Sequence, residues 1–183
     1  MYYAHIYNSP LGPLTGVSDG INLLGLWLQG QKYFAANVRI AELQYGVQLP
    51  IFRAVDSWLA SYFAGQNPAI DSLALAPQGS EFRRIVWRLL CEIPYGQVTT
   101  YGELAQKAAV ILHKPRMSAQ AIGGAVGHNP LSIIIPCHRV IGADGSLTGY
   151  AGGLDKKILL LKTEGVNIGH YDKGYQKMQE LNK

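Results

Sequence analysis

The central segment of the sequence reads Ser132-Ile133-Ile134-Ile135-Pro136-Cys137-His138-Arg139-Val140. Its apolar β-branched part, Ile133 to Ile135, predicts a buried strand. Pro136 has no N–H to donate to a sheet, so we expect the strand to end there. The pattern therefore predicts that Cys137 lies at the mouth of a buried strand, where the chain turns out of the sheet.

Cys137 is the first candidate for a chemical role. Its positive neighbours His138 and Arg139 favour the thiolate, which is the nucleophilic form of cysteine. Adjacent side chains of an extended segment point to opposite faces, so His138 can reach the sulfur only through a turn or a water. We therefore expect a relay of carboxylate, imidazole, water and thiol. Three acidic residues downstream could supply the carboxylate: Asp144, Asp155 and Glu164.

A purely structural role fits the same tetrapeptide about equally well. Free cysteine is among the most buried residue types, so Cys137 could be a small buried hydrophobe. His138 would then be a core histidine with its hydrogen bonds satisfied. The tetrapeptide alone leaves both interpretations open.

Length and composition indicate a compact protein of one large or two small domains. The chain has 183 residues, of which 48% are hydrophobic, enough for a substantial core. It shows no membrane-spanning stretch and no signal peptide with a basic region followed by an apolar one. We therefore expect a cytoplasmic protein without a membrane partner. In a reducing compartment Cys91 and Cys137 should be free thiols, and Cys91 lies in a helical apolar pattern typical of a core. No Cys or His pair has closed zinc-site spacing, so we expect no metal.

Charge is divided unevenly along the chain. Residues 1–78 carry a net charge of about −1, while the whole chain carries +4, so residues 79–183 carry about +5. A basic C-terminal part is where a polyanion such as DNA would bind. A scattered solvated face would give the same sum.

The sequence pattern divides the chain into three parts. Strands are predicted over Tyr2–Tyr7 and Ile21–Leu28 with a turn at 18–20, and an amphipathic helix over Pro50–Ala64. A Pro- and Gly-containing linker follows over 67–79. We therefore expect an N-terminal α/β domain at 1–76, with a small antiparallel sheet and a helix. A mainly helical domain at 77–166 and a polar tail at 167–183 follow.

Two helices before Cys137 predict a helix-turn-helix. Thr100 can cap a helix over 101–109, and Ser118 can cap one over 119–127. The second helix offers only Gln120 to a base edge, because most of its other residues are small: Ala119, Ala121, Gly123, Gly124 and Ala125. Such a helix suits shallow docking in the narrow minor groove with little sequence readout. Tight packing against the protein's own core would explain the small residues equally well.

A series of ordered motifs resembles one family. They are Ile93-Pro94-Tyr95-Gly96, Thr100-Tyr101-Gly102-Glu103-Leu104-Ala105, Ala121-Ile122-Gly123-Gly124-Ala125, Asn129-Pro130, Ile135-Pro136-Cys137-His138-Arg139-Val140-Ile141-Gly142, Gly149-Tyr150-Ala151-Gly152-Gly153-Leu154 and Leu160-Leu161 leading to Glu164. Over roughly residues 78–166 the chain is similar to the O6-alkylguanine-DNA alkyltransferases, or methylated-DNA–protein-cysteine methyltransferases. The N-terminal part is similar mainly through residues 9–14. The resemblance implies a ribonuclease-H-like N-terminal domain and a winged-helix-like C-terminal domain with an active-site cysteine.

The resemblance also implies the chemistry. Cys137 would take the alkyl group from guanine O6, and from O4-alkylthymine as well, in one displacement that leaves a thioether. His138 would accept the thiol proton through a water, and Glu164 would orient the imidazole. Tyr101 would donate its phenol proton to a ring nitrogen of the departing guanine. Nothing regenerates the thiol, so the protein would act once, without a cofactor.

Substrate positions follow from the same resemblance. The duplex nucleotide would be flipped into a pocket, with Tyr150 stacking on the base and backbone near Ala151 contacting O6. Asn129 would brace the turn beneath the cysteine. Gln120 stands where the family has an arginine that fills the gap left by the base, so we expect weaker support of the flipped state. Five further positions fall among the substrate- or DNA-binding set: Thr100, Ala119, Gly123, Arg139 and Gly152.

Other functional classes remain as alternatives. A lesion-binding relative without repair activity would need the cysteine replaced, and Cys137 is present. A transcriptional activator would need a further zinc-bearing domain, for which the chain lacks length and cysteines. A cysteine hydrolase would turn over esters or amides. A monomer is expected by default.

Overall fold

The computed structural model describes residues 1–36, 38, 42–147 and 149–171. Its N-terminal region contains a four-stranded sheet in the order β3-β2-β1-β4. The strands are β1 (Tyr2–Tyr7), β2 (Leu14–Ser18), β3 (Leu23–Leu28) and β4 (Leu43–Tyr45). The predicted tail, 167–183, lies outside the described residues beyond 171, and its described part holds a short 3₁₀ helix over Ile168–His170.

The sheet is mixed, which corrects the expected antiparallel arrangement. β1 pairs antiparallel with β2, and β2 pairs antiparallel with β3, but β1 pairs parallel with β4. The strands β2 and β4 were not predicted. β2 is short and carries Gly16, and β4 has only three residues, so neither shows a clear alternation of apolar and polar side chains.

Helix α1 (Pro50–Phe63) confirms the predicted amphipathic helix. Pro50 occupies the first turn, where its missing N–H costs nothing. Gly65 follows the helix with φ +79°, a left-handed conformation that glycine adopts without strain. The buried face of α1 packs on the sheet and carries six side chains: Ile51, Phe52, Val55, Trp58, Leu59 and Tyr62.

The C-terminal region is mainly helical, as expected. It contains α2 (Glu81–Cys91), α3 (Tyr101–Ile111), α4 (Ala119–Gly127) and α5 (Leu154–Thr163). Two short strands, β5 (Thr99–Thr100) and β6 (Val140–Ile141), pair in parallel. The largest hydrophobic cluster includes residues of both regions, and β3 joins them through Leu26, whose N–H donates to Pro130 O at 2.7 Å. The two regions therefore share a core.

The predicted strand at Ile133–Ile135 is wrong. These residues are almost fully buried, but they form a turn, in which Ile133 has φ +73° and the Ile135 N–H donates to Leu131 O at 2.9 Å. Burial alone explains why these residues are apolar, without any strand pairing. A short apolar run does not by itself distinguish a buried strand from a buried turn. Cys137 instead opens a 3₁₀ helix, Cys137–Arg139, which leads into β6.

Cys91 is exposed, which corrects its expected place in the core. It is the last residue of α2, and the buried face of that helix is formed by Ile85, Val86, Trp87, Leu89 and Leu90. Among the described residues Cys91 and Cys137 are both free thiols.

The capping pattern of α3 and α4 is confirmed. The Thr100 hydroxyl accepts from the Glu103 N–H, and the Glu103 carboxylate accepts from the Thr100 N–H, which is a complete capping box. The Ser118 hydroxyl accepts from the Ala121 N–H at 3.1 Å. α3 and α4 pack on each other and on α2. Within the described part of the chain, no helix is long and apolar enough to cross a membrane.

We expect Ser118→Ala to reduce the free energy of unfolding by about 1 kcal/mol, because α4 loses the acceptor for one of its free N–H groups. Ser118→Asp keeps an acceptor at the cap and should stay close to the original protein. Urea unfolding of the three proteins measures the difference. Equal losses in the two variants would contradict a capping role.

Candidate active site

Asn129 connects the thiol to the turn that precedes it. Its amide Nδ2 donates to Cys137 Sγ at 3.1 Å and to Ile135 O at 2.8 Å, and its Oδ1 accepts from the Leu131 N–H at 3.0 Å. Asn129 is 2% exposed and Cys137 is 6% exposed. The amide thus holds the chain on both sides of the turn and presents a donor to the sulfur.

Burial keeps the sulfur of Cys137 in its thiol form at rest. Burial raises the pKa of Cys137, while the hydrogen bond from Asn129 and the charge of Lys157 act in the opposite direction without cancelling it. This corrects the expectation that neighbouring positive charges hold a thiolate. The thiol needs a base when it reacts, and the next residue in the chain, His138, carries an imidazole.

His138 is fully buried and is bound on one side only. Its Nε2 lies 2.7 Å from Glu164 Oε1. A carboxylate can only accept, so Nε2 carries the proton. Nδ1 makes no hydrogen bond to any described residue. Burial lowers the pKa of His138, so the ring is neutral at pH 7 and Nδ1 holds a lone pair that can take a proton.

Glu164 follows the last residue of α5 and receives donors on both oxygens. Oε1 accepts from the Tyr62 hydroxyl at 2.7 Å, and Oε2 accepts from Arg139 Nε at 2.8 Å and from the Gly96 N–H at 3.3 Å. Burial by itself raises the pKa of the carboxyl, but hydrogen bonds from His138 and Arg139 outweigh burial and hold the pKa to about 2. The carboxylate is therefore charged at any pH at which the protein works.

Arg139 lies in the interior, which corrects its expected place among the DNA-binding residues. Its Nε and Nη2 donate to Glu164, and its Nη1 donates to Ile93 O at 2.7 Å. The side chain is 7% exposed. Its guanidinium is committed to neutralising a buried carboxylate, so it offers nothing to a phosphate.

Two phenols lie beside the thiol. Tyr101 begins α3 and donates to Gly149 O at 3.3 Å; burial, and then the charge of Cys137, raise its pKa to about 12. The hydroxyl of Tyr150 is buried and has no hydrogen-bond partner among the described residues, and burial raises its pKa well above the ordinary value. Both phenols stay protonated near neutral pH and can donate to a ligand.

A cleft of about 280 Å³ separates the loop after β6 from α4. Its walls include Gly149, Tyr150 and Ala151 on one side and three glycines of α4 on the other: Gly123, Gly124 and Gly127. A Cβ on Gly149 would lie 2.5 Å from the Tyr101 hydroxyl, and one on Gly152 would lie 2.6 Å from Leu28 Cδ1. Glycine at these two positions lets the loop approach its neighbours closely.

The small residues of α4 lie on two different faces of the helix. Ile122, Ala125 and Val126 are buried against the core, whereas Ala119, Gln120 and Gly124 are exposed. Gly123 lies between the two faces, with Tyr101 ring carbons 3.8 and 3.9 Å from where its Cβ would be. The exposed face is therefore smooth and carries one long polar side chain, Gln120.

Sequence reasoning missed two residues of the site. Lys157 of α5 is fully buried, donates from Nζ to Val140 O at 2.5 Å, and interacts electrostatically with Cys137. Tyr62 of α1 reaches Glu164 and His138. In the sequence, each of these residues lies within an apolar helical pattern, and a polar group on such a face is the signal that could have identified it. A lysine on such a face is anomalous, whereas a tyrosine is not.

No group of three metal-binding side chains occurs among the described residues. The structure brings Cys137, His138, Glu164 and Asn129 into one buried cluster, with Tyr101, Tyr150 and Lys157 around the sulfur. Asp144 and Asp155 are exposed, which leaves Glu164 as the carboxylate bound to the imidazole.

Thr100, one of the residues predicted to bind DNA, caps α3, and its hydroxyl is hydrogen-bonded to Glu103.

Comparisons with known proteins match nearly the whole chain. The family model described as "6-O-methylguanine DNA methyltransferase, ribonuclease-like domain" matches residues 1–77, and the corresponding "DNA binding domain" model matches residues 81–166. A methylated-DNA–protein-cysteine methyltransferase of Haemophilus influenzae is 40% identical over 95% of this chain and 90% of its own length. One from Methanosarcina barkeri is 45% identical over 92% and 99%. The structure of Mycobacterium tuberculosis OGT in complex with DNA superposes with a TM-score of 0.75 at 37% identity, covering 89% of this chain and 91% of that one.

We expect Lys157→Met to slow the reaction of Cys137 with iodoacetamide at neutral pH by about tenfold. Removing the positive charge raises the pKa of the thiol, and one pKa unit changes the thiolate fraction tenfold. Lys162→Met, on the exposed side of the same helix, is the matched control and should react at the original rate. The mass of the Cys137 peptide over time gives both rates. Equal rates in the two variants would show that Lys157 does not act on the sulfur.

Proposed function

The chain belongs to the 6-O-methylguanine DNA methyltransferase family, and from this premise we propose that Cys137 receives the alkyl group from O6-alkylguanine in double-stranded DNA. The protein is a methylated-DNA–protein-cysteine methyltransferase that repairs DNA by direct reversal. The observation that carries the assignment of the residue is the buried cluster in which Cys137 lies beside a neutral imidazole with an unbound Nδ1.

The proton moves first. Nδ1 of His138 takes the thiol proton through a water, while Nε2–H stays on Glu164. The positive charge that develops on the imidazole is stabilised by the carboxylate, and the sulfur becomes a thiolate only as it reacts. Asn129 and Lys157 face the developing negative charge and stabilise it.

Transfer of the alkyl group is then a single in-line displacement. The sulfur of Cys137 forms a bond to the alkyl carbon as the bond from that carbon to guanine O6 breaks. The electron pair of the broken bond moves into the guanine ring, and Tyr101 donates its phenol proton to a ring nitrogen of the departing base. The proton that His138 took from the thiol then returns through water to the Tyr101 phenolate, which leaves both side chains neutral. Because a thioether is a poor leaving group, each protein molecule acts only once. Its substrate is either O6-alkylguanine or O4-alkylthymine.

DNA is held by the smooth face of α4. Exposed Ala119 and Gly124, with Gly123 beside them, let the helix backbone approach the narrow minor groove. The target nucleotide rotates out of the duplex, and Gln120 enters the gap that it leaves. Exposed Lys114 and Arg116 in the connection between α3 and α4 contact phosphates.

The flipped base enters the cleft beside α4. Tyr150 stacks on the base, and its buried hydroxyl is a donor without a partner in the described chain. The backbone N–H groups near Ala151 donate to O6, because O6 can only accept a hydrogen bond. The Ala151 carbonyl is an acceptor as well and is bound to the Lys32 N–H at 3.1 Å. Gly152 allows this close approach of the loop.

We place the boundary between the two domains at 76/77 and take the protein to act as a monomer. A protein that binds alkylated DNA without repairing it is the alternative. Its cysteine would remain unmodified after tight binding, which a mass measurement detects.

The first experiment measures the mass of the Cys137 peptide after incubation with excess duplex that contains O6-methylguanine. We expect a gain of one methyl group that saturates at one per protein. Cys137→Ser should gain nothing, and Cys91→Ser, which removes the exposed thiol, should gain as the original protein does. Binding without any gain would support the lesion-binding alternative.

Substitution of Gln120 tests how the flipped state is supported. Gln120→Arg adds a charge that can pair with phosphates around the gap, so we expect transfer at limiting DNA to be about tenfold faster. Gln120→Ala should be slower than the original protein. Single-turnover rates at several protein concentrations give both values.

The matched control is Gln106→Arg, which adds the same charge on the exposed side of α3. If it accelerates transfer as much as Gln120→Arg, the gain comes from general attraction to DNA. The proposal that Gln120 enters the gap in the duplex would then be wrong.

A further inference from the structure

Tyr62 carries a contact from the N-terminal domain into the active site. It lies in the last turn of α1 and is 1% exposed. Its hydroxyl donates to Glu164 Oε1 at 2.7 Å and lies 3.3 Å from His138 Nε2. The ribonuclease-like model ends at residue 77, whereas His138 and Glu164 belong to the DNA-binding domain. One hydroxyl of the first domain thus touches two members of the relay in the second.

The hydroxyl is held in a fixed direction. The ring of Tyr62 stacks on Trp58 with centroids 5.5 Å apart and planes 7° apart. Tyr95 packs against it edge-on at 6.2 Å, and the His138 ring lies at 6.4 Å with planes 73° apart. Burial, together with the charge of Glu164, raises the pKa of Tyr62 far above its ordinary value. The phenol is therefore a permanent donor that does not change its protonation state.

A permanent donor on Oε1 restricts what the carboxylate can do. Oε1 also receives Arg139 Nη2 at 3.0 Å and His138 Nε2 at 2.7 Å. A carboxylate that accepts several hydrogen bonds has little affinity for a further proton. Glu164 therefore does not remove the proton from Nε2. The imidazole keeps the tautomer in which Nδ1 is free to act on the thiol.

We propose that Tyr62 is a positioning residue for alkyl transfer, which fixes the tautomer and basicity of His138 by donating to Glu164. This inference rests on the proposed role of Cys137 and His138. It also gives the N-terminal domain a part in the chemistry: the relay is complete only when the end of α1 is docked on the second domain.

Several charged or titratable groups face His138, and the experiment leaves all but one of them in place. They are Glu164 after α5, Lys157 on α5, Arg139 and Cys137 on the 3₁₀ helix, and Tyr62 on α1. Glu164 favours the charged imidazole, whereas Arg139 and Lys157 oppose it. Tyr62→Phe removes one hydroxyl and keeps the ring that packs on Trp58.

The rate of alkyl transfer, plotted against pH, should fall on the acid side of the profile. We expect Tyr62→Phe to move this acid limb to higher pH by about half a unit to one unit. Without the phenol, the negative charge on Oε1 is shared with fewer donors and stabilises the imidazolium more strongly, so the pKa of His138 rises. His138 must be neutral to accept the thiol proton, so the rate is lost at a higher pH. We also expect the rate above the limb to fall severalfold, because the carboxylate is held less firmly.

Tyr7→Phe is the matched control. Tyr7 is also a 1% exposed phenol of the N-terminal domain, and its hydroxyl has no hydrogen-bond partner in the described structure. Its removal should leave the acid limb in place. Thermal unfolding of both variants separates effects on stability from effects on the relay. An acid limb of Tyr62→Phe that coincides with that of Tyr7→Phe would overturn the proposal, whatever the change in stability.

A second measurement needs no DNA and keeps this inference separate from the proposed function. The ¹⁵N chemical shifts of the His138 ring report its tautomer and its pKa directly, and His138→Gln identifies the signals. We expect a protonated Nε2 in the original protein and a higher pKa in Tyr62→Phe. If Cys137 gains no methyl group from DNA, the proposed function fails, yet these shifts still test Tyr62. Unchanged shifts in Tyr62→Phe would overturn its positioning role.

Discussion

The buried carboxylate of Glu164 is the group on which the rest of the site depends. A bare charge in this position would be prohibitively expensive, and loss of one partner of a buried ion pair costs roughly 3–5 kcal/mol. Arg139, His138, Tyr62 and the Gly96 N–H all donate to it. These donors come from the 3₁₀ helix, α1 and the loop before β5, while Glu164 itself directly follows α5. Satisfying one charge therefore holds four separate segments in a single arrangement.

The thiol depends on that arrangement because it is not activated in advance. Burial favours the neutral forms of both Cys137 and His138, so the pair rests uncharged in a closed interior. In the mechanism that we propose, the charges form only during alkyl transfer. Asn129 already donates to the sulfur, and the charge of Lys157 already acts on it, before any substrate is bound. The resting protein therefore does not have to bury a charged thiolate.

The surface that we propose for DNA binding depends on small residues rather than on a charge. Helix α4 buries Ala125 together with Ile122 and Val126 and turns Ala119, Gln120 and Gly124 outward, so small residues lie on both its packed and its exposed face. The glycines of α4 and the loop at Gly149 form the two walls of one cleft. The phenol of Tyr150 also lines this cleft, which is the one that we propose for the flipped base.

The sequence by itself determined the elements whose signals are local. The helices at 50–63 and 119–127, the Ser118 cap and the Cys-His motif were all readable, because periodicity, capping and adjacent residues act over short distances in the chain. Glu164 was one of three possible downstream carboxylates, and only the family resemblance singled it out. Only the tertiary structure decided what distant segments do to one another. It turned the run at Ile133–Ile135 into a buried turn, committed Arg139 to Glu164, left Cys91 exposed, and brought Lys157 and Tyr62 to the relay. The reason is physical: the pattern of one segment reports that a residue is buried, but burial beside a charge or a thiol depends on which other segment packs there.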